Sequence, residues 1–263
     1  MGDDVVVLAA LAWEARAVLD ALQGVEPIGE RSWRGYLGDG GAVRVGQIGV
    51  GQDRAARAAA EAVPARLYVS CGCAGGLVPG LRAGDIIIGD RVIALDGAGR
   101  QTDQLPVDPV GLAVWSGGRS IPVRIGAVAS SPMVLSSAAG KAAAGHCGAL
   151  VVEMESAAVA RVARDRGAAC AIVKVVLDEA ADPIGFPGAD AVDAETGEIE
   201  VGRALAALAV RPRVWPRAFR LARQQRIAER QLRAYLAMVC SAGLDALGLG
   251  PRSHGDASRE VHG

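Results

Sequence analysis

Residues 151–182 (VVEMESAAVARVARDRGAACAIVKVVLDEAAD) constrain the fold more than any other stretch, because they carry two periodicities back to back. Ala158, Val159, Val162 and Ala163 recur at the three-and-four spacing of one helical face, with Arg161, Arg164, Asp165 and Arg166 largely opposite. Gly167 follows, where a helix can end in a left-handed residue. Residues 171–177 (AIVKVVL) are then a short, mostly β-branched run, the mark of a strand buried on both faces, and it stops at Asp178. In open α/β sheets ligands sit beyond the carboxyl ends of the strands. Glu153 and Glu155 before the helix and Asp178 after the strand would meet there if the unit folds back on itself.

The rest of the chain repeats this alternation. Val5–Ala10 reads as a first buried strand, followed by a helix from Glu14 to Leu22 with Ala15, Val18, Leu19 and Leu22 on one face. Trp33–Leu37 and Ala42–Val50 read as a strand pair turning through Gly38–Gly41. A helix over Asp53–Val63 takes Asp53 as its N-cap. Arg66–Ser70 is a strand that enters a loop of small residues, Cys71–Leu77, where backbone can approach a ligand closely. Further strands are predicted at Ile86–Ile88 and Val123–Ala129, with a long loop and short helix over Gly97–Gly118, irregular chain over Ala180–Thr196 and helices from Val201. Strands alternating with helices predict a three-layer α/β/α fold around a central mixed, twisted sheet. The expected organisation is a catalytic domain over 1–200, a helical extension packed on it over 201–250, and a disordered polar tail over 251–263.

Composition removes several function classes. A chain of 263 residues with 51% hydrophobic residues can bury one large core. A net charge of −1 and 3% aromatics give no footprint for nucleic acid. No apolar run approaches the roughly 18 residues that span a bilayer, so a cytoplasmic location is expected. Cys71, Cys73, Cys147, Cys170 and Cys240 are irregularly spaced and accompanied by three histidines, which predicts neither a disulfide framework nor a metal site. Gly46, Gly49 and Gly51 do not have the dinucleotide spacing, so tight packing is their favoured reading and no cofactor is implied.

The carboxylates carry the chemistry, each against a plainer alternative. Glu14 lies just past the first strand and is either a rim acid or a solvated first-turn acid favoured by the helix dipole. Glu153 and Glu155 are two apart, so at most one should face a pocket. Asp178 ends an apolar run and is either a helix N-cap or a buried acid whose pKa is raised by desolvation and which can hold a proton for transfer.

Residues 71–77 (CGCAGGL), 81–87 (LRAGDII), 152–155 (VEME) and 176–178 (VLD), in that order, resemble the purine nucleoside phosphorylase and nucleosidase superfamily over roughly residues 5–182. The methylthioadenosine/S-adenosylhomocysteine nucleosidase pattern is the nearest well-known one. The resemblance implies an enzyme that breaks an N-glycosidic bond without a cofactor, and a homo-oligomer. It implies that Glu14 handles the attacking water, that Met154 and Glu155 hold the ribose, and that Asp178 binds and protonates the purine. Met133 and Val134 fall on base-stacking positions, and Cys73, Ala74, Gly75, Glu153 and Lys174 join the expected binding set. The chemistry suits these residue types, since such a cleavage builds positive charge on the sugar and negative charge on the leaving base. There are departures. Cys73 and Leu177 stand where relatives commonly have serine, and Lys174 where many have arginine. Ser70 stands where phosphorylases of the hexameric type carry a phosphate-holding arginine, leaving Arg16, Arg54 or Arg57 as candidate phosphate ligands.

The C-terminal third, with its polar turn at 193–202, Leu208-Ala209-Val210-Arg211-Pro212 and an arginine-rich final helix, resembles the hopanoid-associated branch. That branch is assigned removal of adenine from adenosylhopane, so a phosphorylase acting on adenosylhopane is the first expectation and a soluble nucleosidase the second. A nucleoside-binding module without turnover is the alternative of another class. Arg217, Arg220, Arg223, Arg226, Arg230 and Arg233 recur at three or four. They form either a basic stripe for an anionic membrane surface or a solvated face of a helix packed on its own domain.

Overall fold

The computed structural model describes residues 3–109, 121–135, 137–182 and 215–250. Its helices are α1 (Ala12–Leu19), α2 (Gln52–Glu61), α3 (Ala138–Gly145), α4 (Ser156–Asp165) and α5 (Trp215–Ala242), followed by a short 3-10 turn at Leu244–Leu247. The strands are β1 (Val5–Ala9), β2 (Gln23–Gly29), β3 (Ser32–Tyr36), β4 (Ala42–Gln47), β5 (Leu67–Gly76), β6 (Ile86–Leu95), β7 (Gln101–Pro106), β8 (Val123–Ser130), β9 (Val151–Glu153) and β10 (Ala169–Asp178). They form one mixed sheet with helices on both faces, the α/β/α architecture the alternation predicts.

Both faces of the central strands are apolar because both are covered. In β1, Val5, Val7 and Ala9 point into the core shared with α1 and α5, while Val6 and Leu8 point into the core shared with α2 and α4. In β10, Ala171, Val173 and Val175 face the first core, and Cys170, Ile172 and Val176 the second. Alanine dominates the second layer: Ala55 and Ala59 of α2 and Ala157, Ala160 and Ala163 of α4 are buried there. Small side chains let those two helices lie close together over the sheet.

The sheet does more than stack strands. β4, β1, β5 and β10 run parallel in that order. β10 then pairs antiparallel with β6, β6 parallel with β8, β8 parallel with β9, and β9 antiparallel with the end of β5. The circuit from β5 back to β5 is closed. As a result β5 changes partner: its pairing with β1 ends at Ser70, and its pairing with β9 begins at Gly75. The intervening edge of β5 is left without a neighbouring strand on that side, and a cleft opens there.

Several expectations need correction. Cys71–Gly76 is not a loop but the second half of β5, paired with β10 as far as Gly75. Asp53 is not the N-cap of α2; Gly51 is, with φ of 111°, and Asp53 sits in the first turn. β6 extends to Leu95 and β7 occupies part of the expected loop. β2 and α3 were not expected. β2 is exposed along its whole length at the sheet's outer edge, so no apolar alternation marks it. The short helix expected within 97–118, the turn at 193–202, residues 201–214 and the tail from 251 fall wholly or mainly outside the described residues.

α5 packs on the domain. Ala228, Leu232, Tyr235, Leu236 and Val239 are buried in the core with α1 and β10, so most of the helix's apolar surface is already used. Arg233 pairs with Asp20 and Glu229, and Arg220 lies 3.4 Å from Asp182. Arg223, Arg226 and Arg230 are exposed, as is Phe219. Arg217 lies outside the described side chains.

Candidate active site

The open edge of β5 is the floor of a cleft of about 160 Å³ lined by Glu14, Cys73, Ala74, Gly75, Met133, Val134, Glu153, Met154, Glu155 and Asp178, among others. These ten were singled out from sequence. They arrive from five places in the fold: the start of α1, the end of β5, the segment after β8, the end of β9 with the turn into α4, and the end of β10.

Glu14 is buried, not the solvated first-turn acid of the plainer reading. It reaches back from the first turn of α1 to accept the Leu11 N–H at 2.9 Å, and across to β5 to accept the Cys73 N–H at 2.7 Å. Burial raises its pKa; the two N–H donors and the charge of Lys174 pull it back only in part. Its neighbour Cys73 has its thiol pushed well above the ordinary value by burial and by Glu14, so it remains a thiol.

Glu153 and Glu155 both border the cleft, where their spacing predicts at most one, and they differ in their partners. Glu153 turns inward and accepts from Ser156 N, Ser156 Oγ and Glu155 N at 2.8–3.1 Å, with Lys174 Nζ at 3.0 Å. Burial alone would raise its pKa, but Lys174 and these donors hold it below the usual carboxylate range. Glu155 accepts the Gly51 N–H at 2.8 Å and is pushed up to about 7, first by burial and then by the repulsion of Glu153. Two carboxyls in one turn thus have separated protonation, Glu153 ionised and Glu155 poised near neutrality.

Lys174 is not on the cleft wall. The strand's alternation turns it with Ile172 and Val176 toward α4, where it lies between Glu153 and the Ser70 hydroxyl, 2.9 Å away. Ser70, in turn, accepts or donates to Ser156 Oγ at 3.1 Å inside the core. The position that carries a phosphate arginine in hexameric phosphorylases is therefore internal here. Neither Arg16 nor Arg54 is brought to the cleft. Arg16 is exposed and pairs with Asp20 at 3.0 Å, and Arg54 lines a separate concavity with Arg31, Arg44 and Arg57.

Asp178 ends β10 facing the cleft and caps no helix among the described residues. Burial raises its pKa, against the opposing pull of the Lys141 ammonium. Lys141 was not anticipated from sequence. It is wholly buried in α3, in contact with Asp178 Oδ2 and donating to the carbonyls of Glu179 at 2.9 Å and Asp182 at 3.2 Å. A signal existed: of the chain's 28 basic residues, only Lys141 and Lys174 are lysines, and both are buried against carboxylates. Gly51 and Gly72 were also missed. Gly51 supplies the N–H that fixes Glu155, and Gly72 gives Glu14 the room to lie on β5.

The arrangement gives three carboxyl groups of raised proton affinity around one cleft, with Glu14 set at Gly72 and Asp178 at Gly75. Those residues are separated by about 10 Å of strand. It suits a reaction that needs a base at one end of a substrate and an acid at the other.

Comparison with known proteins supplies the family and the fold. Residues 4–210 match the family described as the phosphorylase superfamily. No curated protein matches the chain. Among solved structures, the 5′-methylthioadenosine/S-adenosylhomocysteine nucleosidase of Neisseria meningitidis, in complex with methylthio-immucillin-A, has a TM-score of 0.66 at 18% identity, over 91% of this chain and 99% of that one. The S-adenosylhomocysteine nucleosidase of Streptococcus pyogenes, in complex with 5-methylthiotubericidin, has a TM-score of 0.59 at 20% identity, over 79% and 94%. Futalosine hydrolase of Helicobacter pylori has a TM-score of 0.62 at 15% identity, over 94% and 97%. At these identities the structures share the fold, and the match over residues 4–210 supplies the lineage: the chain belongs to the phosphorylase superfamily.

Proposed function

We propose that this protein is an enzyme that cleaves the N-glycosidic bond of an adenosine-type nucleoside and releases adenine, with water as the acceptor. The observation that carries the reading is the convergence of Glu14, Glu155 and Asp178 on one cleft, all three with raised proton affinity. Asp178 donates its proton to the leaving base, whose charge grows as the bond stretches. Glu155, once ionised, accepts hydrogen bonds from ribose hydroxyls. Glu14 takes the proton of the water that attacks the sugar carbon. Met133 and Val134, 56% and 57% exposed at the cleft's mouth, offer apolar surface to a base or to a substituent on the sugar. Water is favoured over phosphate because the two lysines of the described site, Lys174 and Lys141, are each engaged by a carboxylate. The nucleosidases bound to nucleoside analogues support the substrate class.

A second reading, phosphorolysis of the lipid-linked nucleoside adenosylhopane, is favoured by α5. Its first turns carry exposed Phe219, Arg220 and Arg223, and Gln224 bonds Asp182, four residues from Asp178, at 2.8 Å. A bilayer-lodged substrate would meet apolar and basic side chains near the cleft. Adenine release from 5′-methylthioadenosine and from adenosylhopane, each with and without phosphate, tests both. Phosphate-independent release from methylthioadenosine supports the first reading. Phosphate-dependent release from the lipid alone replaces it with the second.

A further inference from the structure

Lys141 is placed where neither its helix nor its burial accounts for it. It sits in the first turns of α3, whose N-terminus is capped by the Ser137 hydroxyl at 3.0 Å from Gly140 N. The positive end of a helix disfavours a cation. Burying an ammonium completely is also unfavourable unless it is paired and its hydrogens are used. Here all three hydrogens have acceptors: Asp178 Oδ2, the Glu179 carbonyl and the Asp182 carbonyl. Arginine, which serves every non-histidine cation position of the chain except Lys141 and Lys174, has a planar fork that does not converge on three oxygens around one nitrogen. The lysine is therefore specific to this spot.

Resting on the assignment of Asp178 as the acid, we propose that Lys141 is its positioning residue. It grips Oδ2 so that the other oxygen faces the cleft, and its charge stabilises the carboxylate left when the proton has moved to the leaving base. The step balances without a further reactant. The Asp178 O–H bond breaks, a bond from that proton to a purine nitrogen forms, and the electron pair left on Asp178 is met by the Lys141 ammonium, which keeps its own protons. The surroundings leave Lys141 as the cation in contact with Asp178. From β5 the carboxyl is faced by Gly75, where a Cβ would lie 3.3 Å from Oδ2, and from the following turn by the Asp182 carboxylate and the Glu179 backbone. Glu14, Cys73, Glu153 and Glu155 complete the ionisable groups of the cleft wall, with Lys174 paired behind it.

The test compares Lys141→Gln, Lys141→Arg and Asp178→Asn with the wild-type chain. Adenine release is measured from 5′-methylthioadenosine, or from adenosylhopane if that is the nucleoside the wild type cleaves. Lys141→Gln keeps a donor for Asp178 and removes the charge. We expect kcat to fall by about 10- to 100-fold, a part of what an acid contributes, with KM changed little. The alkaline limb of kcat/KM should move to higher pH, since Asp178 without its cation holds its proton more tightly. Lys141→Arg, which restores the charge with poorer geometry, should return the limb to its wild-type position and recover part of kcat. A Lys141→Gln protein with lowered thermal stability but wild-type kcat and limb would overturn the proposal and leave Lys141 as a structural tie for the 179–182 turn. If that variant does not fold, Lys141→Arg decides: a limb displaced from its wild-type position overturns the proposal, and a fixed limb with reduced kcat supports it. Wild-type turnover in Asp178→Asn is a different failure, that of the acid assignment itself.

Discussion

Glu14 lies directly over Gly72, so that a Cβ at residue 72 would stand 2.8 Å from the carboxyl carbon and from both carboxyl oxygens. The contact joins the start of α1 to the open edge of β5. Gly72→Ala therefore has to displace the Glu14 carboxyl. Overpacking of this kind destabilises by about 1–3 kcal/mol, and kcat/KM should fall by at least about tenfold, the equivalent of 1.4 kcal/mol in the barrier. Thermal unfolding of Gly72→Ala in a Glu14→Ala background checks the cause, because the added methyl should then be tolerated. Equal destabilisation in both backgrounds would show that Glu14 is not what the methyl meets.

Glu155 should set an acidic limb. Its pKa is pushed up to about 7, and the proposed grip on ribose hydroxyls calls for the ionised form, so kcat/KM should rise with pH through that region. Glu155→Gln should lower activity and flatten the limb. Stability should show the opposite trend. The folded state binds this proton more tightly than the unfolded chain, so the contribution is complete below 4.5 and is lost as pH rises through about 7. Denaturant titrations of wild type and Glu155→Gln across that range should diverge, with the variant gaining relative stability toward high pH.

Lys174 and Glu153 should behave as a structural pair. Lys174→Met leaves a buried carboxylate without its cation, and a change of this type typically destabilises by about 3–5 kcal/mol. Glu153→Gln with Lys174→Met together should be milder than Lys174→Met alone. Urea unfolding of both proteins measures the difference. An additive double mutant would mean that the 3.0 Å contact contributes no coupling.

Asp178→Asn keeps the shape of the acid and removes its proton. We expect kcat to fall by about 10²- to 10⁴-fold, while binding of a nucleoside, followed by calorimetry, changes much less. A kcat within a few-fold of wild type would rule out Asp178 as the acid.

Much of this site was legible because its signals are local. The helical spacing from Ala158 to Ala163 and the apolar run ending at Asp178 each declare themselves within a dozen residues, and the structure forms both. Gly167, with φ of 64°, stands where the helix was expected to stop. What was not legible depends on partners remote in sequence. Gly72 reads as a loop residue until Glu14, 58 positions earlier, is laid on it. Lys141 sits in an alanine- and glycine-rich segment, and its role appears only when β10 ends beside α3. β2, exposed and interrupted by Pro27, has no buried face to impose a pattern. The arginine spacing of α5 left two alternatives open for a related reason, since helical spacing cannot reveal that Arg233 is bound to Asp20 and that Tyr235 is buried.

The change of partner along β5 has a consequence for how such a chain can diversify. Its floor, from Ser70 to Gly75, is held in register by β10 along one side and by β1 and β9 at its two ends, and a residue inserted there would shift Glu14 against Asp178 and break the circuit of strands. The rim is different in kind. Met133 and Val134 are exposed, and the turn after Asp178 is tied to α5 by side chains rather than by strand pairing. The rim can therefore be rewritten without disturbing the strand register that spaces Glu14 from Asp178.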